Sequence, residues 1–204
     1  MTMTDNRTAG VSADAPNAAR RAMIDSQLRT SGVNEPWVLA AMASVAREDF
    51  VPDIMRSAAY IDRAIPLGEG RWLASPVVHG KMLGEAAPKM DDKVLLVGDA
   101  AGYLACLLRP LVGVLDVISP ADAVEKSGES GYSLIVVDGA IEQMPKALAS
   151  QLADDGRIVT GLVERGVTRL AIGRKAAGDV ALLPLTEIGI PVLPEFAAPK
   201  RWSF

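Results

Sequence analysis

Gly98 and Gly102 bracket a five-residue turn, Gly98-Asp-Ala-Ala-Gly102, between two apolar runs, 94–97 and 103–108. The pattern reads as a buried strand, a tight turn and a helix, where an open α/β sheet holds a nucleotide-like ligand against a helix N-terminus. Gly98 and Gly102 let backbone approach such a ligand, whereas Ala100 and Ala101 carry methyl groups into the same turn. Asp99 adds a negative charge that suits an amino group and repels a phosphate. Tyr103, the first residue after the turn, either packs beneath it or touches the ligand. A second candidate is Asp138, which with Gly139 follows the apolar run 134–137. At the carboxyl end of a parallel strand its carboxylate suits a cation or a polar ligand, and an Asp-Gly pair equally suits a turn.

Few other residues offer chemistry. His79 is the single histidine and Cys106 the single cysteine, so neither zinc ligation nor an internal disulfide is available. Cys106 reads as a small core residue, and His79 either as a group near a substrate mouth or as a helix-surface or packing residue. Trp72 lies in an irregular stretch, where an aromatic caps a pocket, anchors a partner or buries against neighbouring helices. The 204 residues are 50% hydrophobic and carry a net charge of −4 with scattered basic residues. One substantial domain with a real core is expected, with no basic face for nucleic acid or an anionic membrane. Residues 1–17 are polar and lack a signal-peptide core, so a disordered leader and a cytoplasmic protein are expected. No run reaches the roughly 20 apolar residues of a membrane span.

The elements that must hold these residues follow from hydrophobic spacing. Helices are predicted over 18–31 and, with Asn34 as cap and Pro36 in the first turn, over 36–45. A short helical piece over 55–60 precedes an irregular stretch, 61–76, and a helix over 77–87 carries His79. Strands follow at 94–97, 114–118, 134–137 and 158–162, with helices at 104–108 and 145–152 between them. Residues 168–174 and 180–185 flank Gly178 and form a terminal hairpin. Residues 192–196 form a last strand or a strand-like tail. Alternating strands and helices imply a mostly parallel α/β sheet with an antiparallel C-terminal end. The domain spans 18–204 and opens with a helical subregion, 18–90.

Several ordered motifs are similar to the protein-L-isoaspartate O-methyltransferases. Val38-Leu-Ala-Ala-Met42 and Arg47-Glu-Asp-Phe-Val-Pro52 resemble the family's N-terminal helix and its exit. Gly98-Asp-Ala-Ala-Gly-Tyr103 stands in its EIGTGSGY run, and Gln151-Leu-Ala-Asp-Asp-Gly-Arg157 in its QLKPGGR turn. Leu182-Leu-Pro-Leu-Thr186 is like its FVPLT tail. The resemblance implies a Rossmann-like methyltransferase fold and methyl transfer from S-adenosylmethionine to an isoaspartyl carboxylate in damaged protein. It also implies a cofactor site at Gly98, Asp99, Gly102, Tyr103, Ser119 and Asp138, with no metal. Ser75 becomes the candidate catalytic residue, one place beyond the family's GQTISQP serine, whose own position is Ala74.

Other departures gather around the same site. Leu96 replaces the family's strand-end acid, and Ser119 replaces the carboxylate expected after the second strand to hold ribose hydroxyls. Only 12 residues separate Ser119 from Tyr132, about the minimum for a helical crossover. The sheet is therefore expected to be one strand short, leaving 114–118 as an apolar edge that favours a homodimer. Two readings stay open: an active methyltransferase, or a family-derived binding or assembly protein that takes no adenosylmethionine and has no cofactor.

Overall fold

The computed structural model describes residues 15–126 and 128–198. A six-stranded sheet, in the order β4-β3-β5-β6-β7-β8, forms the centre. Its parallel part comprises β3 (Lys93–Val97), β4 (Val114–Ile118), β5 (Tyr132–Ile141) and β6 (Leu152–Glu164). The predicted hairpin is present as β7 (Val167–Ala176) and β8 (Asp179–Glu187), antiparallel to β6 and to each other. The α/β class and the antiparallel finish are as the sequence implies.

Strand β3 illustrates why the sheet needs two covered faces. Val94 and Leu96 enter one hydrophobic core, Leu95 and Val97 the other, and all four are buried. The first core lies under α1 (Ala15–Met23), α2 (Pro36–Ser44), α3 (Pro76–Ala86) and α4 (Tyr103–Leu108). The second lies under α5 (Pro120–Glu125), α6 (Lys146–Gln151) and Phe196. The N-terminal helical subregion thus packs into the main core.

Residues 1–14 of the expected leader and the tail from Pro199 onward lie outside the described residues. The leader's last three positions, Ala15, Pro16 and Asn17, already belong to α1. The stretch read as irregular contains a small hairpin, β1 (Ile65–Gly68) with β2 (Arg71–Leu73). Its turn rests on Gly68, Glu69 and Gly70, all with positive φ, for which two glycines are suited. Residues 192–196 are not a strand. Pro191 and Pro194 interrupt the backbone donors, leaving one bridge from Val192 to Ala140 and a single 3₁₀ turn, Pro194–Phe196.

The shortened crossover has the expected result. Six-residue α5 carries the chain from β4 to β5, which pairs on the far side of β3, and β4 forms the sheet edge. Val114 is exposed there, but Asp116 in mid-strand accepts a hydrogen bond from the Tyr132 hydroxyl at 2.9 Å. A charge in the centre of an edge strand opposes edge-to-edge pairing.

An ion pair ties the start of β3 to β6. Asp92 is buried and takes both Arg157 guanidinium nitrogens, at 2.6 and 3.1 Å, with the Ser133 hydroxyl and the Lys89 N–H. Burial alone would raise its pKa, but these hydrogen bonds and the Arg157 charge hold it down at about 2. Because the folded value lies below the unfolded one, this stabilisation is complete above about pH 4 and is lost as pH falls through about 2. Asp92→Asn should cost about 2 kcal/mol in urea unfolding at neutral pH. That difference should shrink as both proteins are taken toward pH 2; a difference independent of pH would contradict the assignment.

Candidate active site

The carboxyl ends of β3 and β5 carry most of the expected residues. Gly98 leaves β3 with its N–H bonded to the Ile118 carbonyl at 2.9 Å. Asp99, Ala100 and Ala101 are exposed, so the two methyl groups lie on the outside of the turn. A side chain at position 98 would begin 3.3 Å from Asp138 Cβ, which puts Asp138 directly beside the turn. There the pairing of β5 with β6 shifts register between Val136 and Ala140, and this irregularity contains Asp138.

Asp138 is the outer end of a polar chain that runs into the core. His79 Nε2 lies 3.1 Å from Asp138 Oδ1, and His79 Nδ1 lies 3.2 Å from Arg47 Nη1. Arg47 and His79 are both fully buried. An arginine can only donate, so Nδ1 accepts and the ring's other nitrogen carries the hydrogen given to Asp138. Arg47 also donates to the Ala59 carbonyl at 2.8 Å and to the Ala74 carbonyl. Burial pushes its pKa down to about 10, and the Asp138 carboxylate opposes that fall.

The structure places the remaining expected residues around this arrangement. His79 is a buried link between two charges, and its packing role is only part of what it does. Tyr103 is packed, the first of its two expected roles: it is 1% exposed, meets Phe50 edge-on at 5.4 Å and lies 5.0 Å from the Arg47 guanidinium. An apolar ring at the start of α4 gains more from that core than from a wet cleft. Desolvation raises its pKa to about 12. Asp99 spends one oxygen on the Ala101 N–H at 2.9 Å and the other on Arg71 of β2 at 3.6 Å. Its carboxylate therefore shapes the turn and joins it to the small hairpin. Ser119 caps α5 through the Asp122 N–H at 3.1 Å, and Leu96 is sealed in the main core.

Ser75 begins α3, where its hydroxyl accepts from the Val78 N–H at 3.4 Å and Asp62 accepts from the Val77 N–H at 3.3 Å. It lines a hollow of about 700 Å³ together with Asp62, Arg63, Trp72 and residues 188–192. Trp72 is half exposed and forms part of this wall, the pocket-capping alternative among its expected roles. Arg47 was legible only as the opening of a motif, and nothing in its spacing tied it to His79. Among the described residues no cluster of three or more metal-ligating side chains occurs, and no helix is long and apolar enough to cross a membrane.

The family model described as Protein-L-isoaspartate(D-aspartate) O-methyltransferase (PCMT) matches residues 18–129. The chain belongs to that family. It is 34% identical over 182 residues to protein-L-isoaspartate O-methyltransferase 2 of an Anaeromyxobacter species, spanning 77% of this chain and 75% of the relative. A second relative, protein-L-isoaspartate O-methyltransferase of Methanoculleus marisnigri, is 29% identical over 210 residues, 90% of this chain and 96% of its own. Among solved structures, a Plasmodium falciparum protein-L-isoaspartate O-methyltransferase in complex with S-adenosyl-L-homocysteine superposes with a TM-score of 0.69 at 16% identity. That match covers 88% of this chain and 98% of the other, and identifies the Rossmann-like methyltransferase fold.

If Arg47 holds the site together, substitution should be felt as stability. Arg47→Met leaves the Ala59 and Ala74 carbonyls and His79 Nδ1 without their donor, an expected loss of about 3 kcal/mol in urea unfolding. Arg47→Lys keeps the charge but not the fork, and should lose at least about 1 kcal/mol. An unchanged midpoint for the lysine variant would contradict the three-way role.

Proposed function

We propose that this chain transfers a methyl group from S-adenosylmethionine to the side-chain carboxylate of isoaspartyl residues in damaged protein. Family membership supports the reaction class. The observation that carries the reading onto this chain is convergence. The glycine turn and Asp138 adjoin each other, His79 of α3 bonds Asp138 one helical turn beyond Ser75 of the hollow, and Arg71, next to Trp72 of the hollow, pairs with Asp99.

The residues present fit adenosylmethionine best at its cationic end. Gly102 lets the turn close tightly on Asp99, and the Asp138 carboxylate packed beside Gly98 suits a positive centre. At the ribose end the Ser119 hydroxyl takes the role for which a carboxylate would be stronger, which makes modest affinity the expectation. When bound, adenosylmethionine supplies an activated methyl on a sulfonium, so the protein's work is positional and electrostatic. Arg63 is the cation of the hollow and faces an incoming carboxylate there, while Asp62 is held on the Val77 N–H at the start of α3. Trp72 gives the peptide an apolar wall and excludes water from one side. Ser75, fixed as the helix cap, offers a hydroxyl to orient the accepting carboxylate.

Two measurements test this. Labelled methyl from adenosylmethionine should enter a peptide containing isoaspartate and not the same peptide with ordinary aspartate. Calorimetry should give micromolar binding of adenosylmethionine and adenosylhomocysteine. Absence of heat with either nucleoside, on folded protein, would overturn the reading in favour of a family-derived binding module.

A further inference from the structure

The carboxylate of Asp138 is unusual in how it is held. One oxygen, Oδ1, is fixed by His79, whose ring is itself oriented by the fully buried Arg47. The other oxygen makes no hydrogen bond among the described residues, and the side chain is 19% exposed at the carboxyl end of β5. The Arg47 cation lies on the far side of the imidazole, so the chain is polarised with its negative end at the partly exposed Asp138 beside Gly98. Asp99, the other carboxylate at the turn, is more than half exposed, bonded to the Ala101 N–H and 3.6 Å from Arg71. Asp138 is the carboxylate that is both oriented and largely desolvated beside Gly98.

We infer that Asp138 is a charge-selective acceptor that favours a cationic sulfonium or ammonium centre in the cleft over a neutral thioether. The inference rests on the reading of this cleft as an adenosylmethionine site. Substrate and product nucleosides of that reaction differ at one atom: the sulfur is positive before transfer and neutral after it. A fixed, partly desolvated carboxylate nearby binds the first more tightly than the second, and so promotes exchange of product for fresh substrate. His79 and Arg47 act as positioning residues, holding the carboxylate in one orientation without touching the ligand.

The test compares adenosylmethionine, adenosylhomocysteine and sinefungin, whose ammonium stands near the sulfonium position, by calorimetry on the intact chain. The unsubstituted protein should bind both cationic nucleosides about tenfold more tightly than adenosylhomocysteine. Asp138→Asn should erase that preference while keeping adenosylhomocysteine affinity within about threefold. Asp138→Thr, with thermal unfolding measured alongside, serves if the asparagine variant does not fold. Equal binding of all three by the unsubstituted protein, or a preference that survives both substitutions, would overturn the inference while leaving the cleft assignment standing. Failure of all three to bind the folded protein would overturn the cleft assignment, and the inference with it.

Discussion

A guanidinium buried to zero exposure must satisfy its donors inside the protein, and Arg47 does so by reaching three separate segments. The Ala59 carbonyl belongs to the end of the 3₁₀ segment Asp53–Ala58, the Ala74 carbonyl to the exit of the small hairpin, and His79 to α3. Tyr103 at the start of α4 lies against the same guanidinium. The helical subregion, the hairpin and the glycine turn are therefore fixed relative to one another by one side chain. His79 extends that constraint to Asp138 and hence to the sheet itself.

The rest of the site inherits its geometry from this link. α3 is anchored through His79, so its N-cap residue, Ser75, is set at the edge of the hollow. The hairpin is anchored at Ala74 and again at Arg71, which aligns Trp72 with the same hollow. On the opposite side of β3 the chain is economical. A six-residue helix completes the crossover, and a serine hydroxyl stands where the sheet edge meets the cleft. The polar investment is concentrated at β5 and α3, while the β4 side is left spare.

Much of the fold was legible because local signals agreed. The apolar run 94–97, the proline that opens α2, and the Gly178 hairpin each point to one structure at several levels. The small hairpin was hidden because its strands are three and four residues long and the turn residues dominated the reading. The last segment was misread because apolar composition outweighed Pro191 and Pro194. At the site, Asp138 and Ser75 could be named from position, but their partners could not. Arg47 and His79 are 32 residues apart, and a hydrogen bond between them exists only once α3 has packed. Tyr103 shows the converse limit: adjacency to a ligand turn in sequence does not decide which way a ring faces.

The central claim is that Arg47, His79 and Asp138 form one directed hydrogen-bonded chain. His79 is the sole histidine, so nitrogen-15 NMR of the untagged protein reads its ring without interference. The account predicts a neutral imidazole with hydrogen on Nε2 and a bare, accepting Nδ1. A ring protonated at Nδ1, or one averaging between tautomers as an exposed histidine does, would contradict it.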